Sequence, residues 1–164
     1  MRTVVVGIDG SEGGSLALSR AAEEADLRGD ELVIVNAWHI PVDTYGFAGV
    51  ADARYGDIFA GESDKMLGEA RDEVRAAHPD LAVRTISAGG PPGSTLTHLA
   101  LDADVLVVGS RGRGGLGAAL LGSVSTYCVH HAHCPVLVVS DRRPSGRRGA
   151  SHAPVQSAGD GGRP

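Results

Sequence analysis

The sequence predicts an α/β protein whose open, doubly wound sheet has five parallel strands and helices on both faces. Short apolar runs alternate with helical patterns along the chain, which is the order of β-α-β units and implies right-handed crossovers. Four runs are apolar at consecutive positions and rich in β-branched residues, as strands are when helices cover both sides of a sheet. These runs are residues 4–8, 32–35, 105–108 and Val136–Val139.

A fifth strand is predicted at residues 81–86, where Arg84 interrupts a more mixed pattern. A charge within the run is typical of an edge strand. Helices are expected between the strands. The first begins at Ser11 or Glu12 and stops at Gly29, because glycine commonly follows a helix C-terminus.

Three further helices follow from periodicity and from proline. Apolar residues recur at helical spacing over residues 66–77, which predicts an amphipathic helix. Pro91 and Pro92 precede a short helix. The last helix covers about Ser123–His131 and stops before Pro135.

Two segments lack a regular pattern. Residues 39–58 hold Pro, Gly and Tyr without periodicity and are interpreted as a long loop. After Ser140 the composition shifts to Arg, Gly, Pro, Ser and Ala, which bury too little apolar surface to offset the entropy of ordering. We therefore predict one domain over residues 1–140 and a disordered tail over residues 141–164.

Composition and charge exclude some classes of binding partner and location. The formal net charge is −5, and an acidic body repels a phosphate backbone, so no nucleic-acid partner is expected. No apolar run approaches the roughly 18 residues of a membrane span, and the N-terminal run is too short for a signal peptide. The cytoplasm is therefore the expected compartment, in which Cys128 and Cys134 would remain reduced.

The most informative segment runs from Gly109 to Ser125, between a buried strand and a helix. Open α/β sheets bind ligands at such positions, and the free amides of a helix N-terminus attract anions. Glycines let the main chain approach a ligand, and Ser123, Ser125 and Thr126 add hydroxyl donors. Arg111 and Arg113 can offset phosphate charge. A flexible glycine linker is the alternative, but it does not explain the position between strand and helix.

Two common phosphate motifs do not account for this segment. Residues 112–117 match G-x-G-x-x-G, but they follow the fourth strand rather than the first, and no acid lies about 20 residues further on. A Walker A loop needs a lysine after its last glycine, and the only lysine in the sequence is the distant Lys65. A P-loop NTPase is therefore excluded, and the dinucleotide motif is interpreted as accidental.

The segment also fits the spacing G-x2-G-x9-G-[ST], at Gly109, Gly112, Gly122 and Ser123. This spacing resembles that of ATP-binding members of the universal stress protein family. Residues 4–11 are similar to the first strand and acidic turn of that family, and residues 134–139 to its last strand. The resemblance covers about residues 1–140 and implies a sheet of order 3-2-1-4-5 with four helices.

The resemblance also implies where ATP would lie. Asp9 would approach the ribose, and main chain near Ala37 would hold the adenine. The end of the fourth strand would cover the ribose and phosphates, and the start of the last helix would hold the β- and γ-phosphates. Together with the two arginines, the candidate ATP-binding residues are Gly7, Asp9, Ala37, Val108, Gly109, Arg111, Gly112, Arg113, Gly122, Ser123, Val124 and Ser125.

Several residues keep a second interpretation. Asp9 can instead cap the following helix, a task that Ser11 can share. Trp38 and His39 either border the adenine or serve packing. Cys128 is interpreted as a small core residue rather than a nucleophile.

No protein metal site is predicted. The histidines and cysteine of residues 130–134 are close in sequence, but neighbouring helix positions face different directions. Zinc ligands usually come from more than one element. Mg²⁺ is expected only with the phosphates of ATP, with Asp9 and Ser123 as candidate contacts.

These features favour an ATP-binding regulatory protein that acts in the stress response through nucleotide-dependent loop conformation and dimerisation. The resemblance implies a homodimer paired through Val136–Val139. Two alternatives stay open: a slow ATPase or phosphotransfer enzyme, and a structural dimer without nucleotide. No catalytic residue is assigned, because no second carboxylate or glutamine lies near the glycine segment in sequence, and the single glutamine is Gln156 in the tail.

Overall fold

The computed structural model describes residues 2–39, 53–112 and 121–140, without the side chains of residues 53–55. Over these residues five strands alternate with four helices: β1 Thr3–Gly7, α1 Glu12–Arg28, β2 Glu31–Trp38, α2 Ala53–Ala77, β3 Val83–Gly89, α3 Pro92–Leu99, β4 Val105–Gly109, α4 Ser123–His131 and β5 Val136–Val139. The strands pair in parallel, in the order β3-β2-β1-β4-β5. The predicted fold class, the strand order and the edge position of β3 are confirmed.

The strand order places a crevice between β1 and β4. From the central β1 the chain winds outward to β2 and β3, and then crosses to β4 and β5 on the other side. The connections that leave β1 and β4 therefore diverge at the carboxyl ends of these strands. In open α/β sheets this divergence is where ligands bind.

Apolar side chains fill both faces of the sheet, because alternate residues of a strand point to opposite sides. Val4 and Val6 belong to the cluster shared with α1 and α2, whereas Val5 belongs to the cluster shared with α3 and α4. Cys128 is fully buried in the second cluster. Burial, and to a lesser extent the charge of Cys134, raises the pKa of the Cys128 thiol to about 11. The interpretation of Cys128 as a core residue is confirmed.

The ends of α1 lie where the sequence predicts them. The Ser11 hydroxyl accepts a hydrogen bond from the Gly14 amide at 3.1 Å and so caps the first turn. Gly29 has a φ of 68°, a left-handed conformation that glycine adopts without steric cost, and its amide donates to the last carbonyls of the helix. Both helix ends are therefore determined by local sequence.

The start of α2 differs from the prediction. Residues 53–58 were expected in a loop, but the helix begins at Ala53. Gly56 disfavours helix by intrinsic propensity, yet a Cβ built there would meet no atom within 4 Å, so it lies on an open side of the helix. Packing overrides propensity here, because the Phe59 ring stacks on Trp38 with centroids 6.2 Å apart and Leu67 is buried in the first cluster.

Some predictions fall outside the described residues. These are the tail at residues 141–164, residues 40–52 of the predicted loop, and residues 113–120 of the glycine segment. Within the described ranges, no helix has both the length and the apolar character that crossing a membrane requires.

Candidate functional site

A cavity of about 500 Å³ lies at the carboxyl ends of the central strands, in the crevice that the topology predicts. This volume falls within the usual range for small-molecule sites. Every predicted ATP-binding residue lines it except Arg113, which lies outside the described residues. The lining residues that the sequence analysis did not identify are Ile8, Gly14, Val35, Pro92, Leu96 and Leu121.

One wall of the cavity is apolar and comes from α3. Leu96 is 4% exposed and packs closely over β1, where a Cβ added to Gly7 would lie 2.7 Å from its Cδ1 atom. Pro92 begins α3 at the same end of the sheet. The helix that follows a parallel strand must begin at that strand's carboxyl end, so the topology places the start of α3 at the same edge of the sheet as the cavity.

Asp9 follows β1 and its carboxylate lies beside the cavity. Its Oδ1 atom accepts a hydrogen bond from the Ser11 amide at 3.0 Å and another from the Ser11 hydroxyl. Ser11 is therefore the residue that caps α1, and Asp9 orients Ser11. A Cβ added to Gly112 would lie 2.6 Å from Oδ2 of Asp9, so the carboxylate and the glycine are directly adjacent. This arrangement brings together two of the predicted ligand contacts.

Gly109 allows the end of β4 to approach the first turn of α1. A Cβ added to Gly109 would lie 2.7 Å from the main-chain carbon and oxygen of Gly13. In turn, a Cβ added to Gly13 would collide with the carbonyl oxygen of Arg111. The close approach of two main-chain segments gives Gly109 a structural role beside its predicted ligand role.

The first turn of α4 supplies hydrogen-bond donors to the cavity. The amides of Ser123, Val124 and Ser125 have no acceptor within the helix because they occupy its first three positions. The Gly122 amide, in contrast, donates to the Ser110 carbonyl at 2.8 Å. The positive end of the helix dipole adds to the attraction for an anion. Phosphate binding would therefore use amides after Gly122 rather than that of Gly122 itself.

The hydroxyl of Ser125 is not available as predicted. It is directed at the carbonyl oxygens of Ser110 and Gly122, at 3.2 and 3.0 Å, and the residue is 2% exposed. Ser123 is exposed and lines the cavity. Thr126 does not line the cavity, so the predicted hydroxyl contribution to a phosphate site is reduced to Ser123.

Ser110 makes hydrogen bonds both to the edge strand β5 and to the start of α4 beside the cavity. Its amide donates to the Val139 carbonyl at the end of β5 at 2.6 Å. Its carbonyl accepts from the Gly122 amide and the Ser125 hydroxyl, as described above. The start of α4 and the end of β5 are therefore held by the same residue.

The other candidate site residues do not line the cavity. Trp38 donates from Nε1 to the Ser87 hydroxyl at 3.1 Å and stacks on Phe59, so packing accounts for it. His131 stacks on Tyr127 with ring centroids 4.0 Å apart. In the part of the chain that the structure describes, no group of three His, Cys, Asp or Glu side chains is arranged to hold a metal ion.

Comparisons with known proteins agree with this architecture. The universal stress protein family model matches residues 1–140. Universal stress protein Rv2005c of Mycobacterium tuberculosis is 37% identical over 139 residues, which are 82% of this chain and 44% of that protein. The chain therefore spans less than half the length of this curated relative.

Solved structures show the same fold. Universal stress protein UspA from Lactobacillus plantarum superposes with a TM-score of 0.74 at 20% identity, covering 84% of this chain and 97% of its own. A universal stress protein solved in complex with cAMP has a TM-score of 0.62 at 30% identity, covering 85% of this chain and 96% of its own.

Proposed function

The chain belongs to the universal stress protein family, and we propose that it is a regulatory protein whose ligand is an adenine nucleotide, with ATP as the resident form. The observation that carries the proposal is the cavity, in which Asp9, an apolar wall and the first turn of α4 converge. The cAMP complex of a protein 30% identical to this chain supports the adenine-nucleotide class. Nothing in this proposal requires a catalytic residue.

Each part of the cavity matches one part of ATP. The apolar side formed by Ile8, Val35 and Leu96 suits a base, and the Asp9 carboxylate accepts hydrogen bonds from ribose hydroxyls. The free amides of α4, with the charge of Arg111, suit the phosphates. Mg²⁺ would be held mainly by the phosphates, because Asp9 is the only carboxylate among the described lining residues.

Nucleotide content tests the proposal directly. Protein purified without added nucleotide and then denatured should release ATP, detected by mass spectrometry at a substantial fraction of the protein concentration. Protein stripped of nucleotide should bind ATP saturably in calorimetry. Absence of both results would contradict the proposal and favour a structural role without nucleotide.

Hydrolysis should be slow. Orienting an attacking water usually requires a carboxylate or glutamine near the γ-phosphate, and the described lining residues offer Asp9 alone, which already holds Ser11. Release of γ-phosphate from the purified protein should therefore stay below about 1 s⁻¹, the low end of ordinary enzyme turnover. A faster rate that is lost in a Gly122→Val variant would show that the protein is an enzyme.

We further propose a homodimer paired through β5. This strand is an edge of the sheet, and its apolar side chains are only half-buried. The carbonyls of Pro135 and Val139 accept from the β4 side. Because main-chain direction alternates along a strand, the main chain of Val138 faces outward, where a second copy can pair.

Replacing Val138 by proline should convert the dimer to a monomer. Proline is tolerated in an edge strand but removes the outward amide needed for pairing with another strand. Sedimentation velocity should give a dimer for the unmodified chain and a monomer for Val138→Pro. Thr85→Pro is the matched control, because Thr85 lies on the opposite edge strand and its main chain also faces outward. A Val138→Pro dimer, or an unmodified monomer, would refute pairing through β5.

A further inference from the structure

Asn36 is a buried polar residue that the proposed nucleotide contacts leave unused. It lies on β2 and is 7% exposed. Its side-chain amide donates to the main-chain oxygen of Ile8 at 2.7 Å and lies 3.7 Å from Sδ of Met66 on α2. Asn36 does not line the cavity, so a direct ligand role does not explain it.

The main-chain groups of β2 point alternately to its two neighbours. The Leu32 amide donates to the Ala82 carbonyl beside β3, whereas the Val35 carbonyl accepts from the Ile8 amide on the β1 side, both at 2.9 Å. Both main-chain groups of one residue in a parallel strand face the same neighbour, so odd-numbered residues of β2 face β1. Ala37 therefore directs its N–H and C=O toward β1, at a level where β1 has already ended.

In a continued ladder, the Ala37 amide would donate to the Ile8 carbonyl. A carbonyl oxygen can accept two hydrogen bonds, but that of Ile8 accepts from the Asn36 side chain and not from the Ala37 amide. Within residues 2–39, 53–112 and 121–140, no hydrogen bond from the Ala37 amide is found. Ala37 is half-buried and lines the cavity, where an unpaired amide is unfavourable unless a ligand or water satisfies it.

We infer that Asn36 is a positioning residue for base recognition. Its side chain donates to the Ile8 carbonyl, which leaves the main-chain N–H and C=O of Ala37 available for hydrogen bonds to the base. The inference rests on the proposed nucleotide function. Adenine presents the N1 acceptor beside the N6 donor, which matches an amide beside a carbonyl. Hypoxanthine presents an N1 donor beside the O6 acceptor, so ITP held in the same orientation is rejected.

Replacing Asn36 by valine removes the side-chain donor and frees the Ile8 carbonyl to take the Ala37 amide. We expect ATP affinity to fall by about 10-fold or more, and the ratio of ATP to ITP affinity to fall toward one. Affinity for tripolyphosphate, which has no base, should be unchanged. The Met66→Leu variant is the control. It keeps the Asn36 side-chain donor to the Ile8 carbonyl, so its ratio of ATP to ITP affinity should equal that of the unmodified chain. An unchanged ratio in the valine variant would overturn the inference.

Hydrogen exchange of the Ala37 amide tests the same inference without any substitution. In the nucleotide-free protein this amide should exchange much faster than that of Val35, and saturating ATP should slow its exchange. Slow exchange in the free protein would show that the amide is already paired and would overturn the inference. If the chain binds no ATP, both the proposed function and this inference fail. If it binds ATP but the Ala37 amide exchanges slowly in the free protein, only the role of Asn36 is overturned.

Discussion

Substitution of Gly122 by valine is expected to lower ATP affinity by at least about 100-fold and to leave the fold intact. Gly122 precedes α4 with φ −66° and ψ 164°, a conformation that any residue adopts. A Cβ there would have its nearest neighbours, in Ser110, Arg111 and Ser125, at 3.5 Å or more, which is ordinary contact. The protein therefore has no structural need for glycine at this position.

The valine methyl groups would occupy space in front of the α4 amides. Loss of two charge-assisted hydrogen bonds to phosphate costs about 3 kcal/mol or more, and each 1.4 kcal/mol is a factor of ten in affinity. Calorimetry with ATP should show the loss, while affinity for adenosine, which has no phosphate, should change little. An equal loss for adenosine, or no loss for ATP, would refute a phosphate site at α4.

Substitution of Gly109 by alanine is expected to reduce the free energy of unfolding by about 3 kcal/mol, although Gly109 belongs to the same glycine spacing. The added Cβ would lie 2.7 Å from main-chain atoms of Gly13. Main chain cannot rotate away as a side chain can, so β4 and α1 must separate. Both elements contribute to the first hydrophobic cluster, which would lose packing as they move.

Thermal unfolding should show this loss as a decrease in Tm of about 10 °C. Gly122→Ala is the matched control, since it makes the same change where no atom lies closer than 3.5 Å, and its Tm should stay within about 2 °C of the unmodified chain. A Gly109→Ala variant with unchanged Tm would mean that the first turn of α1 can shift freely. Gly122→Val should therefore change ATP affinity, whereas Gly109→Ala should change Tm.

The sequence pattern predicted the strands, and the family resemblance added the strand order and the place of the cavity. Consecutive apolar residues such as Val4–Val6 predict strands covered on both faces, and the family resemblance supplied the strand order that places the divergence of β1 and β4. The glycine spacing, through the family resemblance that it carries, identified most of the residues that line the cavity. The strands and helices could be predicted because one sequence displays periodicity directly, whereas the strand order and most of the site residues required the family resemblance.

The sequence was not sufficient for the hydrogen bonds within the site. The Gly122 amide and the Ser125 hydroxyl both look like phosphate donors in the sequence, but Ser110 accepts from both. Such pairing depends on a residue 12 to 15 positions away whose carbonyl direction is set by β5. The helical start of α2 was missed for a similar reason, since the contact of Phe59 with Trp38 spans two elements.

Ser110 connects the proposed nucleotide site to the proposed dimer strand, so the two binding equilibria would be coupled through one residue. Its amide donates to the Val139 carbonyl at the end of β5, and its carbonyl accepts from the Gly122 amide at the start of α4, the proposed phosphate-binding helix. In a dimer built on that strand, any change in nucleotide affinity on association must equal the change in dimer dissociation constant caused by nucleotide. Cellular ATP concentration would then be read out as the ratio of single to paired chains.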